Sequence, residues 1–316
     1  MVLAGGPDRE RPISLESGHA VAEALCRVGH DVRRCDIGPH DLSALEAWER
    51  WRGDVVFPVL HGSWGEGGPL QQILRQRGIP HVGCGPQAAR LCMDKHKAKL
   101  ALVRHGLPTP AFELVTAPQQ PAITPPLVVK APCQGSSIDL MVCHDAERLG
   151  QARHELGHHR VLLVEQFVFG KEMTVGVVAG DRGDQALPPI WIVPGGDFYD
   201  FDAKYRRDDT QYVIDPHQIN LSALVMDQLK QLAVKAHGVL GCRHMSRVDF
   251  IVDNQGQPWI LEVNTIPGFT RHSLLPKAAA FSGLTLFELV DRLVGLAVGA
   301  GVSPSRTNQG GSMSNG

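Results

Sequence analysis

Apolar and polar positions along the first hundred residues alternate between two periods. A short apolar run at residues 2–4, closed by Gly5-Gly6, reads as the end of a strand. Ala20, Val21, Ala24, Leu25 and Val28 fall on one face of a helix that follows Ser14 and stops at Gly29. Residues 31–35 and 55–60 read as strands, with Pro58 placing the second at an edge or a bulge. Helical patterns cover 70–77 and 88–105. Strands alternating with helices predict a doubly wound α/β layer around a parallel sheet.

The texture changes after the proline-rich stretch 118–126, which reads as a linker or exposed loop. Residues 127–130, 137–143, 161–167, 172–179 and 190–193 are strand-like with few helices between them, an α+β pattern of antiparallel sheets. An amphipathic helix is expected over 221–237, ended by Gly238. Two alternating strands at 247–252 and 259–264 form a hairpin across the turn-rich segment 253–258. A last helix occupies 286–298, and the Gly-, Ser- and Asn-rich tail from 303 is expected to be disordered.

Composition narrows the class. The 316 residues call for two or three packed units, and 43% hydrophobic with 20% charged residues is ordinary globular usage. Lysine and arginine total 31 against 33 acidic residues, so no basic excess points to nucleic acid or an anionic membrane. No uncharged apolar run approaches the roughly 20 residues of a membrane span; residues 286–298 come nearest and are interrupted by Glu288, Asp291 and Arg292. The opening apolar stretch is too short for a signal peptide. Seven cysteines without a CxxC pair fit neither a disulfide framework nor a zinc knuckle, and they read as small core residues of a reduced, cytoplasmic protein. Cys133, near lysines, is the one thiol whose reactivity those neighbours would raise.

The hairpin carries the sharpest chemistry. Side chains alternate along a strand, so Arg247 and Asp249 share a face, as do Glu262 and Asn264. Where the two faces coincide, two carboxylates, an amide oxygen and a guanidinium converge among Val248, Phe250, Ile260 and Val263. Hard oxygen donors at this spacing suit magnesium; the competing reading is a solvated face with a salt bridge. Lys130 ends an apolar strand just before Gly135-Ser136-Ser137, an arrangement that can hold a phosphate. Lys95 and Lys204 are weaker candidates. Glu165 and Glu172 flank a short connection from which carboxylates could reach ribose hydroxyls. No P-loop and no protein-kinase signature occurs. His154-Glu155-Leu156-Gly157-His158 matches the HExxH pattern of zinc proteases, but Gly157 and the strand-like residues from Val161 leave no stable helix to carry it.

Taken together, the ordered segments GGPDRERPISLESG, LHGSWGEGGPLQ, MDKHKAK, VVKAPCQGSS, VEQFVFGKEMTV, FYDFDAKY, SRVDF and EVNTIPGFTRHSLLP resemble the D-alanine–D-alanine ligases of the ATP-grasp superfamily, from about residue 3 to residue 298. The resemblance implies an ATP-grasp fold behind an amino-terminal doubly wound parallel-sheet domain. The corresponding units are residues 1–93, a central subdomain 94–170, a carboxy-terminal subdomain 171–302 and the tail 303–316. It implies phosphorylation of one D-alanine by ATP, attack by the amino group of a second, and release of dipeptide, ADP and phosphate for peptidoglycan synthesis in the cytoplasm. Two Mg2+ (or Mn2+) ions would be ligated by Asp249, Glu262 and Asn264, with Glu262 bridging.

By the same resemblance Lys95 and Lys130 hold the α- and β-phosphates, Lys204 reaches the γ-phosphate, Glu165 lies in the adenine segment and Glu172 binds ribose. Arg247 and the backbone at Gly268 stabilise the acyl phosphate and the developing oxyanion. Glu10 fixes the first D-alanine's ammonium near His61, and Ser273 and Leu274 take the second one's carboxylate. Glu10, Ser136 and Tyr205 form a triad closing a lid loop, and Tyr205 favours an amine nucleophile. The implied partners are two D-alanine molecules and a second copy of the chain in a homodimer. An ATP-grasp ligase for another pair of D-amino or D-hydroxy acids is the second reading.

Overall fold

The computed structural model describes residues 1–116, 119–135, 139–180, 183–195 and 209–299. Three parallel strands open the chain in the order β2-β1-β3, with β1 at Val2–Gly5, β2 at Arg34–Ile37 and β3 at Phe57–Pro58. Pleating sends Val2 and Ala4 into one core and Met1 and Leu3 into another, so β1 is buried on both faces. Helix α1 (Arg11–Arg27) covers the first face, while α2 (Ser43–Trp51) and α4 (Pro69–Gln76), which follows the single turn α3 (Gly62–Gly65), cover the second. The doubly wound expectation holds, and Pro58 sits in a two-residue strand at the end of that order.

Helix α1 starts at Arg11, with Pro12 in its first turn, rather than after Ser14. Ser14 is spent otherwise: its buried hydroxyl accepts from Gly5 N at 3.0 Å and donates to Val59 O at 2.8 Å, joining β1 to the segment after β3. The expected helix over 88–105 is two helices, α5 (Pro86–Met93) and α6 (Lys95–Arg104), because Asp94 adopts extended backbone and its carboxylate caps Lys97 N at 3.0 Å.

Beyond α6, two antiparallel sheets follow. The first runs β4-β7-β5-β6, from Phe112–Thr116, Val161–Gln166, Leu127–Lys130 and Leu140–Cys143. Helix α7 (Ala146–Glu155) packs Leu149 and Ala152 onto its Leu127, Val129 and Val164 face. The second sheet runs β11-β10-β8-β12-β13, with β9 (Gly183–Ala186) also paired to β8. Its strands are β8 (Gly170–Gly180), β10 (Ile190–Val193), β11 (Gln211–Val213), β12 (Met245–Asp253) and β13 (Pro258–Asn264).

After the single turn α8 (Pro216–Ile219), helix α9 (Ala223–Val239) packs Leu229, Ala233 and Ala236 against Val175, Val248 and Phe250. It passes through Gly238, which keeps helical backbone, and the left-handed residue that ends the turn is Gly241, at φ 70°. Helices α10 (Leu274–Phe281) and α11 (Leu286–Gly299) close the described chain. Leu289, Val290 and Leu293 of α11 share a core with Val21, Ala24 and Leu25 of α1, so the carboxy-terminal helix covers one face of the amino-terminal layer. No helix among the described residues is long and apolar enough to cross a membrane.

Candidate active site

The hairpin register answers the question left by alternation. Asp249 pairs with Glu262 and Arg247 with Asn264, so the two polar faces coincide. A bulge between Asp249 and Phe250 sets Ile260 opposite Phe250 and leaves Leu261 as the extra residue. Arg247 donates to both oxygens of Asp249, Nε to Oδ1 at 2.9 Å and Nη2 to Oδ2 at 2.8 Å. Thr174, on neighbouring β8, adds a donor to Oδ1 at 2.6 Å. The buried Asp249 carboxylate is thereby compensated, while Glu262 beside it stays partly exposed.

Asp249 and Glu262 line a cleft of about 970 Å³ between the two antiparallel sheets. Lys95, Lys130, Glu165 and Glu172 line it as well, with Val128, Met141, Trp191 and Leu261 among its apolar surfaces. A cleft lined by both apolar surfaces and charged groups suits a flat heterocycle carrying charged substituents.

Helix α6 supplies two of the cations and β5 a third. Lys95, its first residue, lies 3.3 Å from Glu262 Oε2 and donates to Gln134 O at 2.6 Å. One turn on, Lys99 is 1% exposed, donates to Thr109 Oγ1 at 2.6 Å and lies 3.4 Å from Glu165 Oε2. Lys130 approaches the other Glu165 oxygen at 2.9 Å, as an ion pair rather than an aligned hydrogen bond. Burial pushes the Lys99 ammonium down to about 8 against the pull of Glu165. Burial alone would raise Glu165, but Lys130 and Lys99 together hold its carboxyl below its ordinary value. Sequence reasoning missed Lys99 and Thr174. The signal for Lys99 was its i, i+4 spacing from Lys95; Thr174 left none, being joined to Asp249 only by sheet pairing.

A second group of acids lies at the carboxyl ends of the first sheet. Glu10, His61 and Glu66 are buried, and Glu66 Oε1 accepts from Gly62 N at 3.0 Å. Gly62 stands at φ 78° with Asp8 packed where a Cβ would be, so the chain needs glycine there. Burial, reinforced by Glu10, pushes Glu66 up to about 8. Burial likewise raises Asp8 and lowers His61, the latter helped by Arg247 and opposed by Glu10. His61 Nε2 and Asp8 Oδ2 are buried without a hydrogen-bond partner among the described residues. Gly135 runs beside Glu10, whose Oε2 would lie 3.7 Å from a Cβ there.

The remaining predicted positions follow β13. A Cβ on Gly268 would fall 2.6 Å from Ser273 Oγ, so these two predicted site residues are neighbours. Ser273 stands at the N-terminal boundary of α10 but gives its helix no side-chain cap; its Oγ accepts from Thr270 N at 3.0 Å instead. Leu274 buries its side chain in the core, which leaves its helix-start amide as the group able to meet a carboxylate. Ser136, Lys204 and Tyr205 lie outside the described residues. The HExxH segment is not a protease helix: α7 ends at Glu155 and His158 follows it in a turn. Cys133 is exposed, and burial raises its thiol more than Lys95 and Lys97 lower it, against the expected activation. Cys26 is also exposed, and only Cys84, Cys92 and Cys143 are buried as core residues.

A family model described as the D-ala D-ala ligase C-terminus matches residues 102–295. The D-alanine--D-alanine ligase of Bordetella avium (strain 197N) is 41% identical over 97% of this chain and 97% of its own length. That of Actinobacillus succinogenes is 38% identical over 94% of this chain and 97% of its own. The crystal structure of the Bacillus anthracis D-alanine--D-alanine ligase complexed with ATP superposes with a TM-score of 0.78 at 25% identity, over 95% of this chain and 97% of that one.

Proposed function

The chain belongs to the D-alanine–D-alanine ligase family, and from that premise we infer how its cleft joins two D-alanines at the expense of ATP. A carboxylate is a poor electrophile because oxide would have to leave. Phosphorylation makes phosphate the leaving group, and the amino group of the second D-alanine then displaces it. Phosphoryl transfer asks the protein for positioning and charge neutralisation more than for covalent participation. The observation that carries the reading is the register pairing of Asp249 with Glu262 in the wall of a cleft that Lys95 and Lys130 also line.

Each residue has a role in this reading. The apolar slot takes adenine beside Glu165, Glu172 takes the ribose, and Lys95 and Lys130 face the α- and β-phosphates. Lys204 is assigned to the γ-phosphate. Asp249, Glu262 and Asn264 offer the hard oxygen donors that two Mg2+ (or Mn2+) ions require, and the shared face of the hairpin fits such a set. The ions, when bound, neutralise the transferred phosphoryl group. Arg247, oriented by its two-pronged contact with Asp249, stabilises the acyl phosphate and the oxyanion that forms on attack, helped by the backbone amide near Gly268. Glu10 holds the first ammonium near His61, and Ser273 with the Leu274 amide holds the second carboxylate. Ser136 and Tyr205, with Glu10, close the site and keep water from the acyl phosphate. Assembly as a cytoplasmic homodimer completes the reading.

ADP release with D-alanine, L-alanine, D-serine or D-lactate as the sole added substrate tests it. Turnover is expected with D-alanine, giving D-alanyl-D-alanine. Equal turnover on L-alanine, or preferential ester formation at neutral pH when D-alanine and D-lactate are supplied together, would overturn it.

A further inference from the structure

Outside the cleft, the residues left over from the HExxH segment meet a carboxylate from another element. His158 and His159 follow α7, and Asp139 precedes β6. One ligating atom from each lies within 4.8 Å of the other two. His159 Nε2 is 2.8 Å from Asp139 Oδ2, His158 Nε2 is 3.7 Å from the same oxygen, and the two rings are 4.0 Å apart. The site is open to solvent on the His158 side, whose side chain is 59% exposed against 19% for His159.

The tautomer of His158 gives the cluster its chemistry. Its Nδ1 lies 3.2 Å from Glu155 O. A carbonyl can only accept, so Nδ1 carries the proton, and in the neutral ring Nε2 presents a lone pair towards Asp139. At 3.7 Å that approach is too long for a hydrogen bond. In that form the lone pair and the carboxylate repel, which a shared cation relieves, as does a proton on Nε2. A histidine whose far nitrogen is anchored to a backbone carbonyl is also the usual orientation of a metal-ligating imidazole.

We propose that Asp139, His158 and His159 form a binding site for one borderline transition-metal dication, of the Zn2+ or Cu2+ class, separate from the all-oxygen magnesium set. Two imidazoles and a carboxylate match the donor preference of those ions, and bonds of about 2.0–2.2 Å would draw the three atoms together by small side-chain rotations. Solvent supplies the remaining position through the exposed His158 side. The ion joins the turn after α7 to the start of β6. Asp139 O there accepts from Ala131 N at 3.2 Å, and Leu140 pairs with Lys130 of the cleft wall.

The test uses the untagged full chain, free of nucleotide and in excess Mg2+, with one equivalent of Cu2+ read by electron paramagnetic resonance. Nitrogen hyperfine splitting from two imidazoles is expected, which the oxygen donors of Asp249, Glu262 and Asn264 cannot give. Asp139→Asn and His158→Gln should each weaken binding by at least about tenfold. Asparagine tolerates the left-handed backbone of Asp139 (φ 54°), and His158 is exposed, so both variants are expected to fold. Zn2+ added alone should raise the melting temperature of the parent chain but of neither variant. An oxygen-only spectrum, or a nitrogen signature unchanged in both variants, would overturn the site. The readout needs no turnover, so it stands or falls separately from the ligase reading.

Discussion

Asp249 and Glu262 are direct register partners across the β12–β13 hairpin, and each is approached by a cation from a different quarter. Arg247 grips Asp249 from two residues away on its own strand, whereas Lys95 reaches Glu262 from the start of helix α6. The pair is thus held by local alternation on one side and by long-range packing on the other. That makes it a suitable place to separate chemistry from folding.

Glu262→Gln keeps the shape and removes the charge. Turnover is expected to fall by at least about 10²–10³-fold, the scale of losing one transition-state electrostatic contact. Melting should stay close to that of the parent chain, because Glu262 is partly exposed and its ion pair with Lys95 contributes little to stability. ADP release and a thermal melt on the same preparation check both. Removal of divalent ions with a chelator should abolish turnover of the parent enzyme in the same assay.

Thr174→Val deletes a donor to Asp249 without changing side-chain shape. A buried hydrogen bond to a charged group is worth about 1.5–3 kcal/mol, so a loss of that order is expected in chemical denaturation. The concentration of Mg2+ needed for half-maximal rate should rise as well, since Asp249 loses one of its supports. An unchanged metal requirement would assign Thr174 to stability alone.

Glu66 gives stability a pH signature. Its ordinary carboxyl value is 4.5 and its folded value about 8, so between these the folded chain holds a proton that the unfolded chain has lost. The contribution is present in full below pH 4.5 and is lost as pH rises towards 8. Glu66→Gln is expected to flatten that decline and to be the more stable protein at pH 8, by on the order of 1 kcal/mol or more. Denaturant melts of both proteins from pH 5 to 8 measure the difference.

Asp94→Ala removes the cap that splits α5 from α6. Loss of such a cap costs about 1 kcal/mol. The same helix start carries Lys95, so KM for ATP should rise while kcat changes less. Asp94→Asn, which can still cap, should restore most of both.

The elements that were legible in the chain are those whose signals are local. Period-2 alternation marked the hairpin and the acid on each strand, leaving the register to bring them onto one face, and a change of texture after the proline-rich stretch separated a parallel sheet from antiparallel ones. Local signals also misled where a residue served a distant partner. Ser14 looked like the residue before a helix and instead lies within it, bridging Gly5 and Val59, and Gly238 looked like a stop and stays helical.

Periodicity, turn chemistry and ordered motifs are written within a few tens of residues, so the sequence by itself determined the fold class, the acidic hairpin and the family. Only the tertiary structure decided that Lys99 and Lys130 share Glu165 and that Thr174 supports Asp249. It also decided that His158 and His159 meet Asp139. Those contacts join segments brought together by burial of apolar faces, and the depth of that burial sets the charge each group can carry. No spacing along the chain encodes either quantity.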